Sequence, residues 1–308
     1  MTTLYLHHPI FLEHLAPPGH PERPDRLRAI AEALSEARFD GLDRREAPAA
    51  ELAIAKIAHD SAYVDLIGGS IPTEGFAYLD ADTFISPKSL VAVLHAAGAA
   101  CLAVDEVMGT RLANAFCAMR PPGHHAESDR AMGFCIFNNA VIAARHAQQA
   151  HGAERVAIVD WDVHHGNGTQ EIVWSDPSIL YASTHQMPLF PGTGAPSETG
   201  VGNIINAPLS SGAGSKAFRQ AFAGLIVPAV NAFAPDLIVI SAGFDAHRRD
   251  PLAAINLEES DFTWATEELM AVARRHCEGR IVSLLEGGYD LEAVSASVAA
   301  HVAALMQA

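Results

Sequence analysis

The stretch Val156-Ala157-Ile158-Val159-Asp160-Trp161-Asp162-Val163-His164-His165-Gly166-Asn167-Gly168 runs from a short apolar segment into a cluster of carboxylates and imidazoles. The apolar segment is continuous and β-branched, which is typical of a parallel strand that is covered on both faces. On an extended segment Asp160, Asp162 and His164 share one face, and His165 lies on the other. Ligands of parallel sheets bind at the carboxyl ends of strands. The stretch therefore predicts a buried strand with a transition-metal site at its end.

Other parts of the sequence repeat this arrangement of an apolar run followed by polar residues. Apolar runs predict further strands at residues 4–6, 115–119 and 179–185, and the segments 237–245 and 281–289 repeat the pattern of an apolar strand followed by glycine and a polar residue. Helical patterns lie between them, at residues 25–37, near 50–57 and from 59 onward, and a long alanine-rich one is capped by residues 86–90 and ends near 108–109; residues 78–83 form an acidic loop. This alternation predicts a doubly wound, mostly parallel α/β sheet. A lone Asp-x-His motif could equally be a strand end that meets solvent, but here four strand ends would meet at one rim.

Composition places the chain among soluble globular enzymes. The 308 residues are 49% hydrophobic and 18% charged, and no repeat or linker divides them, so a single domain over residues 1–308 is predicted. Twenty basic and 36 acidic residues give a net charge of -16, which argues against nucleic-acid binding and favours a cationic substrate. No apolar run reaches roughly 18 residues, so a cytoplasmic protein without membrane contact is expected. The four scattered cysteines predict free thiols.

Polar residues at the four strand ends form a set suited to hydrolysis. In chain order they are His124, His125, Asp162, His164, Asp245 and Tyr289. Asp162, His164 and Asp245 supply three N/O ligands and leave a fourth position open for water and substrate, as a catalytic site requires. Zn²⁺ fits this set best, with Fe²⁺ or Co²⁺ as alternatives. No second ligand set is evident in the sequence, so one divalent ion per chain is predicted.

Tandem histidines on the loop Arg120-Pro121-Pro122-Gly123-His124-His125-Ala126 favour a catalytic over a structural role. They can take the proton of the attacking water and return it to the leaving amine, while Tyr289 donates to the developing oxyanion. A serine nucleophile is not indicated, because no Gly-x-Ser-x-Gly motif is present. Metal-assisted amide hydrolysis is the reaction class that uses every part.

Five motifs together resemble those of class II histone deacetylases and bacterial histone deacetylase-like amidohydrolases. They are Arg120-Pro121-Pro122-Gly123-His124-His125-Ala126, Met132-Gly133-Phe134-Cys135, Asp160-Trp161-Asp162-Val163-His164-His165-Gly166-Asn167-Gly168-Thr169-Gln170, Ser241-Ala242-Gly243-Phe244-Asp245 and Glu286-Gly287-Gly288-Tyr289. The resemblance implies an arginase-like open sheet of about eight mostly parallel strands with helices on both faces. It also implies that zinc is held by the residues Asp162, His164 and Asp245.

The resemblance further implies roles for other residues. His125 would be the general base and then the general acid, with Asn167 as a weaker partner than the Asp of class I relatives. His124 would hydrogen-bond to Asp160 and act electrostatically. A structural potassium ion would be bound by Asp160, Asp162, His164, Ser183 and Thr184. The acyl-lysine tunnel and its rim would be formed by Pro21, Asp82, Gly133, Phe134, Phe190, Leu252 and Gly288.

Acetylpolyamine amidohydrolase activity is the nearest alternative, because those enzymes share the catalytic motifs. Polyamine-selective relatives carry an acidic gatekeeper where this chain has Leu252, after Asp250-Pro251. Its absence favours an acylated lysine peptide or a small acyl amide as the substrate. The acidic net charge would attract polyamines, but it discriminates less than a carboxylate inside the pocket.

Arginase-like chemistry and a non-catalytic role are both less well supported by the residues. Arginases bind two manganese ions through additional carboxylates, but Ala246 and His247 follow Asp245 here, so a mononuclear site is expected, with His247 as a rim residue. A catalytically weak acyl-lysine binding module is disfavoured by Tyr289, which such relatives lack. The sequence leaves open whether the chain forms a homo-oligomer.

Overall fold

A sheet of eight parallel strands forms the centre of the computed structural model, which describes residues 2–109 and 112–307. Two further strands pair as a short antiparallel hairpin. In chain order the strands are β1 (Thr3–His7), β2 (Asp43–Glu46), β3 (Ala77–Tyr78), β4 (Phe84–Ile85), β5 (Asn114–Cys117), β6 (Val156–Asp160), β7 (Ile179–Gln186), β8 (Ile204–Leu209), β9 (Leu237–Ala242) and β10 (Ile281–Leu285). The order across the sheet is β2-β1-β5-β10-β9-β6-β7-β8, and β3 and β4 form the hairpin.

Helices connect the strands within the described ranges. They are α1 (Asp25–Ala33), α2 (Ser61–Gly69), α3 (Ser89–Gly109), α4 (Asn139–His151), α5 (Asn167–Val173), α6 (Ser215–Ala221), α7 (Val227–Phe233), α8 (Glu259–His276) and α9 (Leu291–Leu305). Short 3-10 turns cover Pro9–Glu13, Ala37–Phe39 and Leu52–Ile57, and a π turn, Phe222–Ile226, joins α6 to α7.

The four strands whose ends carry the predicted site are neighbours in the sheet, in the order β5-β10-β9-β6. Strands β6, β9 and β10 are buried along their whole length, as their continuous apolar runs predicted. At the end of β6, Asp160 pairs with Ser183 of β7 and Ser241 of β9. Because all eight strands are parallel, the loops after β5, β6, β9 and β10 meet at one rim.

Helices pack on the sheet and complete the predicted α/β architecture, which the structure confirms. Helix α3 packs against α4 and β5, and α9 packs against α1 and α8. By length and composition α3 could cross a membrane, but 56% of its most apolar window is buried inside the fold. The single domain over residues 1–308 stays a prediction.

Edge strands and short helical segments differ from the sequence expectation. Strand β2 was not predicted, because Asp43–Glu46 is made of charged residues that alternate in exposure at the sheet edge. Edge strand β8 was also not predicted. It contains Pro208, which an edge strand tolerates because one of its sides needs no hydrogen bonds to a neighbouring strand. The helix predicted for residues 25–37 ends at Ala33, residues 50–57 hold only a 3-10 turn, and the acidic loop is the tip of the β3–β4 hairpin.

Candidate active site and metal centre

A cavity of about 240 Å³ lies at the carboxyl rim of the sheet. It is lined by Asp82, His125, Gly133, Phe134, His164, Leu189, Phe190, Leu252 and Tyr289. Aromatic rings wall it, since the Phe190 ring lies 5.2 Å from that of His125 and the Phe134 ring 5.9 Å from that of Tyr289. The lining contains most of the predicted tunnel and rim residues but neither Pro21 nor Gly288, while Leu189 was not predicted.

Three candidate metal ligands converge at this cavity. The ligand atoms of Asp162, His164 and Asp245, all buried, lie within 4.8 Å of one another. His164 Nδ1 lies 3.1 Å from Asp162 Oδ1 and 3.1 Å from Asp245 Oδ2. Strand β6 ends at Asp160, so Asp162 and His164 lie on the following loop rather than on an extended segment. The turn of that loop, and not strand alternation, brings the predicted ligands together.

Backbone amides hold the two carboxylates of this set. Gly287 N–H donates to Asp162 Oδ2 at 2.8 Å, and Val163 N–H donates to Asp245 Oδ1 at 2.8 Å. A Cβ atom on Gly243 would lie 2.1 Å from Asp162 Oδ2, so this position must be glycine to allow the close approach. Asp162 Oδ1 and Asp245 Oδ2 are thereby directed towards His164.

Buried carboxylates make this point favourable for a cation. Burial lowers the pKa of His164, but hydrogen bonds to Asp162 and Asp245 outweigh burial and raise that pKa to about 10. Burial and the charge of Asp162 raise the pKa of Asp245 to about 7. Two carboxylates this close need a compensating positive charge to be ionised together. The donor types, their spacing and this electrostatic demand fit a four-coordinate divalent ion such as Zn²⁺.

The tandem histidines carry opposite pKa shifts. His124 Nδ1 lies 3.0 Å from Asp160 Oδ2, and His125 Nδ1 lies 2.8 Å from Asn167 Oδ1. Burial lowers the pKa of His124, but the charges of Asp162 and Asp160 outweigh burial and raise it well above its usual range. Burial and the charges of His124 and His164 hold the pKa of His125 well below its usual range. These shifts favour the neutral form of His125 and the cationic form of His124.

Glu127 is a residue of the site that the sequence reasoning missed. Its Oε1 accepts a hydrogen bond from Asn167 Nδ2 at 2.6 Å, and its Oε2 pairs with Arg130 at 2.7 Å. It directly follows the loop that carries the tandem histidines, so its position in the sequence indicates a candidate role at the site. The carboxylate orients the amide of Asn167, which in turn contacts His125.

The residues predicted to bind potassium lie at the end of β6 and on β7. Asp160 Oδ2 accepts from the Tyr181 hydroxyl at 3.1 Å, and Asp160 Oδ1 accepts from Asp162 N–H at 3.0 Å. Ser183 pairs with Asp160 across the strands, and its hydroxyl lies 2.9 Å from His185 Nδ1. Thr184 is the next residue of β7, so its side chain lies on the opposite face and only its backbone is available to an ion near Asp160.

Tyr289 is held by contacts with its ring and with the peptide unit that precedes it. Arg26 Nε donates to Gly288 O at 2.6 Å, and the Arg26 guanidinium lies 5.0 Å from the centre of the Tyr289 ring. The Tyr289 N–H donates to Asp250 Oδ2 at 2.8 Å. Burial and the charge of Asp245 raise the pKa of Tyr289 well above its usual value, so the hydroxyl keeps its proton.

A buried ion network lies behind Arg26. Glu22 accepts hydrogen bonds from Arg26 Nη1 at 3.1 Å and from Arg120 Nη2 at 2.7 Å, and all three side chains are fully buried. Burial raises the pKa of Glu22, but the charge of Arg120 outweighs burial and lowers it to about 2. Pro21 thus lies on the loop that supports Tyr289 rather than in the cavity wall.

A family model described as "Histone deacetylase domain" matches residues 20–305 of the chain. The chain belongs to the histone deacetylase family. Histone deacetylase 15 of Arabidopsis thaliana is 42% identical over 300 residues, covering 93% of this chain and 53% of that protein. A histone deacetylase-like amidohydrolase of Pseudomonas aeruginosa is 39% identical over 278 residues, covering 88% and 73%.

A solved structure of this family has the same fold. The crystal structure of the HDA15 HD domain matches with a TM-score of 0.94 at 38% identity, covering 100% of this chain and 89% of that one. The predicted family, the arginase-like fold and the enzyme class, a hydrolase, are confirmed. This histone deacetylase family chain spans about half the length of the Arabidopsis relative, so the substrates and partners of that whole protein are not carried over to it.

Outside the cavity of this histone deacetylase family chain, the structure bears on two sequence interpretations. His247 was expected at the rim, but it is buried, with its Nε2 3.5 Å from Glu259, and it does not line the cavity. The expectation of one divalent ion per chain, based on a single ligand set, stays a prediction. Within residues 2–109 and 112–307, two further groups have ligand atoms within 4.8 Å of one another: Asp105 with His146 and His151, and His124 with Cys135 and Glu286.

The group of His124, Cys135 and Glu286 supports the active site. Glu286 Oε2 accepts from the backbone N–H groups of Gly123 at 2.6 Å and His124 at 3.2 Å. Burial raises the pKa of Glu286 to about 7, although the charge of His124 opposes this. Glu286 opens the motif that ends in Tyr289, but its role as the anchor of the tandem-histidine loop was not predicted.

Proposed function

We propose that the chain is a zinc-dependent deacylase that hydrolyses the amide of acetyl-lysine or a similar small acyl amide. The observation that carries the proposal is the convergence of Asp162, His164 and Asp245 at a cavity that His125 and Tyr289 also line. A ligand set, a base and a proton donor thus face the same space, as hydrolysis of an amide requires.

Asp162, His164 and Asp245 would hold the ion, because their N/O atoms converge and their carboxylates are oriented by Gly287 and Val163. Bound Zn²⁺ supplies Lewis-acid polarisation of the amide carbonyl and lowers the pKa of its water towards about 7. Fe²⁺ and Co²⁺ are alternatives with the same ligand preferences. A structural K⁺ would be bound by the Asp160 carboxylate, the Ser183 hydroxyl and the backbone of Asp162, His164 and Thr184.

His125 acts as the general base and then as the general acid. Its Nδ1 faces the amide oxygen of Asn167 and carries the proton, so Nε2 is free to take the proton of the attacking water. The same Nε2 proton then passes to the leaving amine. His124, paired with Asp160, keeps a positive charge beside the reacting groups and stabilises the negative charge of the transition state.

Tyr289 donates its hydroxyl proton in a hydrogen bond to the developing oxyanion. The ring lines the cavity, and Arg26 and Asp250 fix the peptide unit that precedes Tyr289. The raised pKa keeps the hydroxyl protonated, and so a donor, at neutral pH.

The shape of the cavity supports acyl-lysine as the substrate class. Phe134 and Phe190 wall a space that suits the apolar stem of lysine, and Leu252 adds no charge to it. Asp82 is the specific observation that favours the alternative, an acetylated polyamine, because it contributes a carboxylate to the cavity lining.

A kinetic panel on metal-quantified protein tests the proposal. The panel contains acetyl-lysine peptides, longer acyl-lysines and acetylated polyamines. We expect the highest kcat/KM on an acyl-lysine substrate, and loss of both metal and turnover in Asp245→Ala. A strong preference for acetylspermidine would show that the substrate is an acetylated polyamine and not acyl-lysine. Tight binding of acetyl-lysine peptide without turnover in zinc-loaded protein would indicate an acyl-lysine binding module instead.

A further inference from the structure

A second set of metal-ligand side chains lies on two packed helices, outside the proposed active site. Asp105 belongs to α3, and His146 and His151 belong to α4. The Nε2 atoms of the two histidines each lie 2.7 Å from the same oxygen, Asp105 Oδ1. We propose that these three side chains, the helix cluster, form a second binding site for a divalent transition metal of the Zn²⁺ class.

The donor set of the helix cluster selects this class of ion. Two imidazoles and one carboxylate are typical of zinc sites that keep an open coordination position, whereas Mg²⁺ and Ca²⁺ prefer oxygen ligands throughout. Ligand atoms around a tetrahedral zinc lie roughly 3.3 Å apart for bonds of about 2.0 to 2.1 Å. The two distances of 2.7 Å in the helix cluster are about 0.6 Å shorter than this value, and all its ligand atoms lie within 4.8 Å of one another. Each histidine would therefore move away from Asp105 by less than about 1 Å to admit the ion.

The local electrostatics also favour a cation. Helices α3 and α4 precede β5 and β6 of the parallel sheet, so both helices end at the amino rim of the sheet. Helix C-termini carry partial negative charge, which attracts cations. Glu106, the residue after Asp105, pairs with Arg45 at 2.8 Å. Arg45 is also paired with Asp43 at 2.6 Å.

The helix cluster is open to solvent ions. The Asp105 side chain is 47% exposed, and those of His146 and His151 are 18% and 22% exposed. His146 also lines a surface cavity of about 400 Å³. Solvent can therefore deliver the ion and supply the remaining ligand.

A metal bound here would join two helices and take no part in the reaction. Helix α4 has 13 residues and spans about 20 Å, and the helix cluster lies at its C-terminal end. Its N-terminal end lies towards the active-site rim, where Asn138 contacts Thr169 of α5. We therefore expect metal in the helix cluster to stabilise the packing of α3 on α4 and to leave turnover unchanged.

The test is a Zn²⁺ titration of the metal-free 308-residue chain against a chromophoric chelator, followed by elemental analysis. We expect two equivalents in the wild type and one in the double variant His146→Gln with His151→Gln. Glutamine retains an N–H donor for Asp105, so the helix contact survives the change. The matched control is His276→Gln, since His276 is also the last residue of its helix but contacts Asn231; it should still bind two equivalents.

A variant lacking the proposed catalytic ligand separates the two sites. Asp245→Ala should bind one equivalent, and added Zn²⁺ should raise its Tm only while His146 and His151 are present. The kcat of the double histidine variant should stay within about twofold of the wild type. The proposal is overturned if Asp245→Ala takes up no Zn²⁺, or if the double histidine variant still binds two equivalents; the helix cluster is then only a hydrogen-bonded contact. Neither result depends on whether the chain hydrolyses acyl-lysine.

Discussion

The amide of Asn167 lies between the imidazole of His125 and the carboxylate of Glu127. Asn167 Nδ2 donates to Glu127 Oε1 at 2.6 Å, and its Oδ1 lies 2.8 Å from His125 Nδ1. An ionised carboxylate can only accept, so Glu127 fixes which way the amide points. The amide oxygen then requires a proton on His125 Nδ1, which leaves Nε2 free. Glu127 is thus a positioning residue that selects the tautomer a general base needs.

Replacing Glu127 should weaken the preference for the His125 tautomer that carries its proton on Nδ1. The amide of Glu127→Gln can donate as well as accept, so the Asn167 amide is able to turn over and present its N–H₂ group to His125. We expect kcat/KM to fall about tenfold, which corresponds to roughly 1.4 kcal/mol, the scale of a hydrogen bond to a charged group. Steady-state kinetics on metal-quantified protein measures this. Glu171→Gln, which alters a carboxylate bonded to the neighbouring Ser128, is the control, and equal kinetics in both variants would contradict the role of Glu127.

Asn167→Asp should change the pH profile. In the wild type, burial and the charges of His124 and His164 hold the pKa of His125 well below its usual range, so the base stays unprotonated in mildly acidic solution. A carboxylate at position 167 favours the protonated imidazole and raises that pKa. The acidic limb of the kcat/KM profile should therefore move to higher pH, by about one unit. A limb that stays in place, or moves to lower pH, would show that His125 is not the group titrating there.

Tyr289→Phe should separate transition-state stabilisation from binding. The hydroxyl is the only group that this change removes, while the ring keeps its contacts with Phe134 and Arg26. Loss of one oxyanion donor typically lowers turnover on the order of 100 to 1000-fold. KM and metal content should change little, because the interaction is made in the transition state. Turnover within about threefold of the wild type would assign Tyr289 to packing.

Leu252→Glu should shift substrate preference towards polyamines. Leu252 lines the cavity, and a carboxylate there could pair with the secondary ammonium of an acetylated polyamine, which leucine can only desolvate. We expect the ratio of kcat/KM for acetylspermidine over an acetyl-lysine peptide to rise by about tenfold or more. Leu252→Gln, similar in size and uncharged, is the control. An equal rise in both variants would attribute the shift to polarity or shape rather than to charge.

Residues at and just after the ends of buried strands could be predicted from the sequence, because a continuous apolar run indicates both the strand and its end. Asp160, Asp162 and His164 were found in this way, and Asp245 and Tyr289 follow the same rule on β9 and β10. The edge strand β2 gave no such signal, since its charged residues are only half covered.

Residues that support the site through tertiary contacts could not be predicted in this way. Arg26 reaches Gly288 from a helix near the start of the chain, a contact between positions 262 residues apart. The helix cluster is similar, because Asp105 and His146 lie 41 residues apart on different helices. Neither spacing matches a periodic pattern on one element. Only the packing of α1 near the β10 loop, and of α3 on α4, brings these side chains together.

The buried Glu22 network should contribute strongly to stability. Glu22→Gln leaves the guanidinium groups of Arg26 and Arg120 buried without a counter-charge, and breaking a buried pair in this way costs about 3 to 5 kcal/mol. Glu36→Gln is the matched control, because Glu36 pairs with Arg38 at 2.9 Å with both side chains more than half exposed. Such exposed pairs contribute less than about 1 kcal/mol. Urea unfolding at about pH 7 compares the two variants.

The pH dependence of this difference tests the charge of Glu22 directly. Its pKa in the folded protein is about 2, below the ordinary value of 4.5. A lowered carboxyl pKa stabilises the folded state fully above the ordinary value, and this stabilisation is lost as the pH falls towards the folded-state value. The gap between the wild type and Glu22→Gln should therefore narrow between about pH 4.5 and pH 2, whereas the small effect of Glu36→Gln changes little. A Glu22→Gln cost no larger than that of Glu36→Gln at about pH 7, or a gap that widens in acid, would mean that the network is not held by the ionised carboxylate.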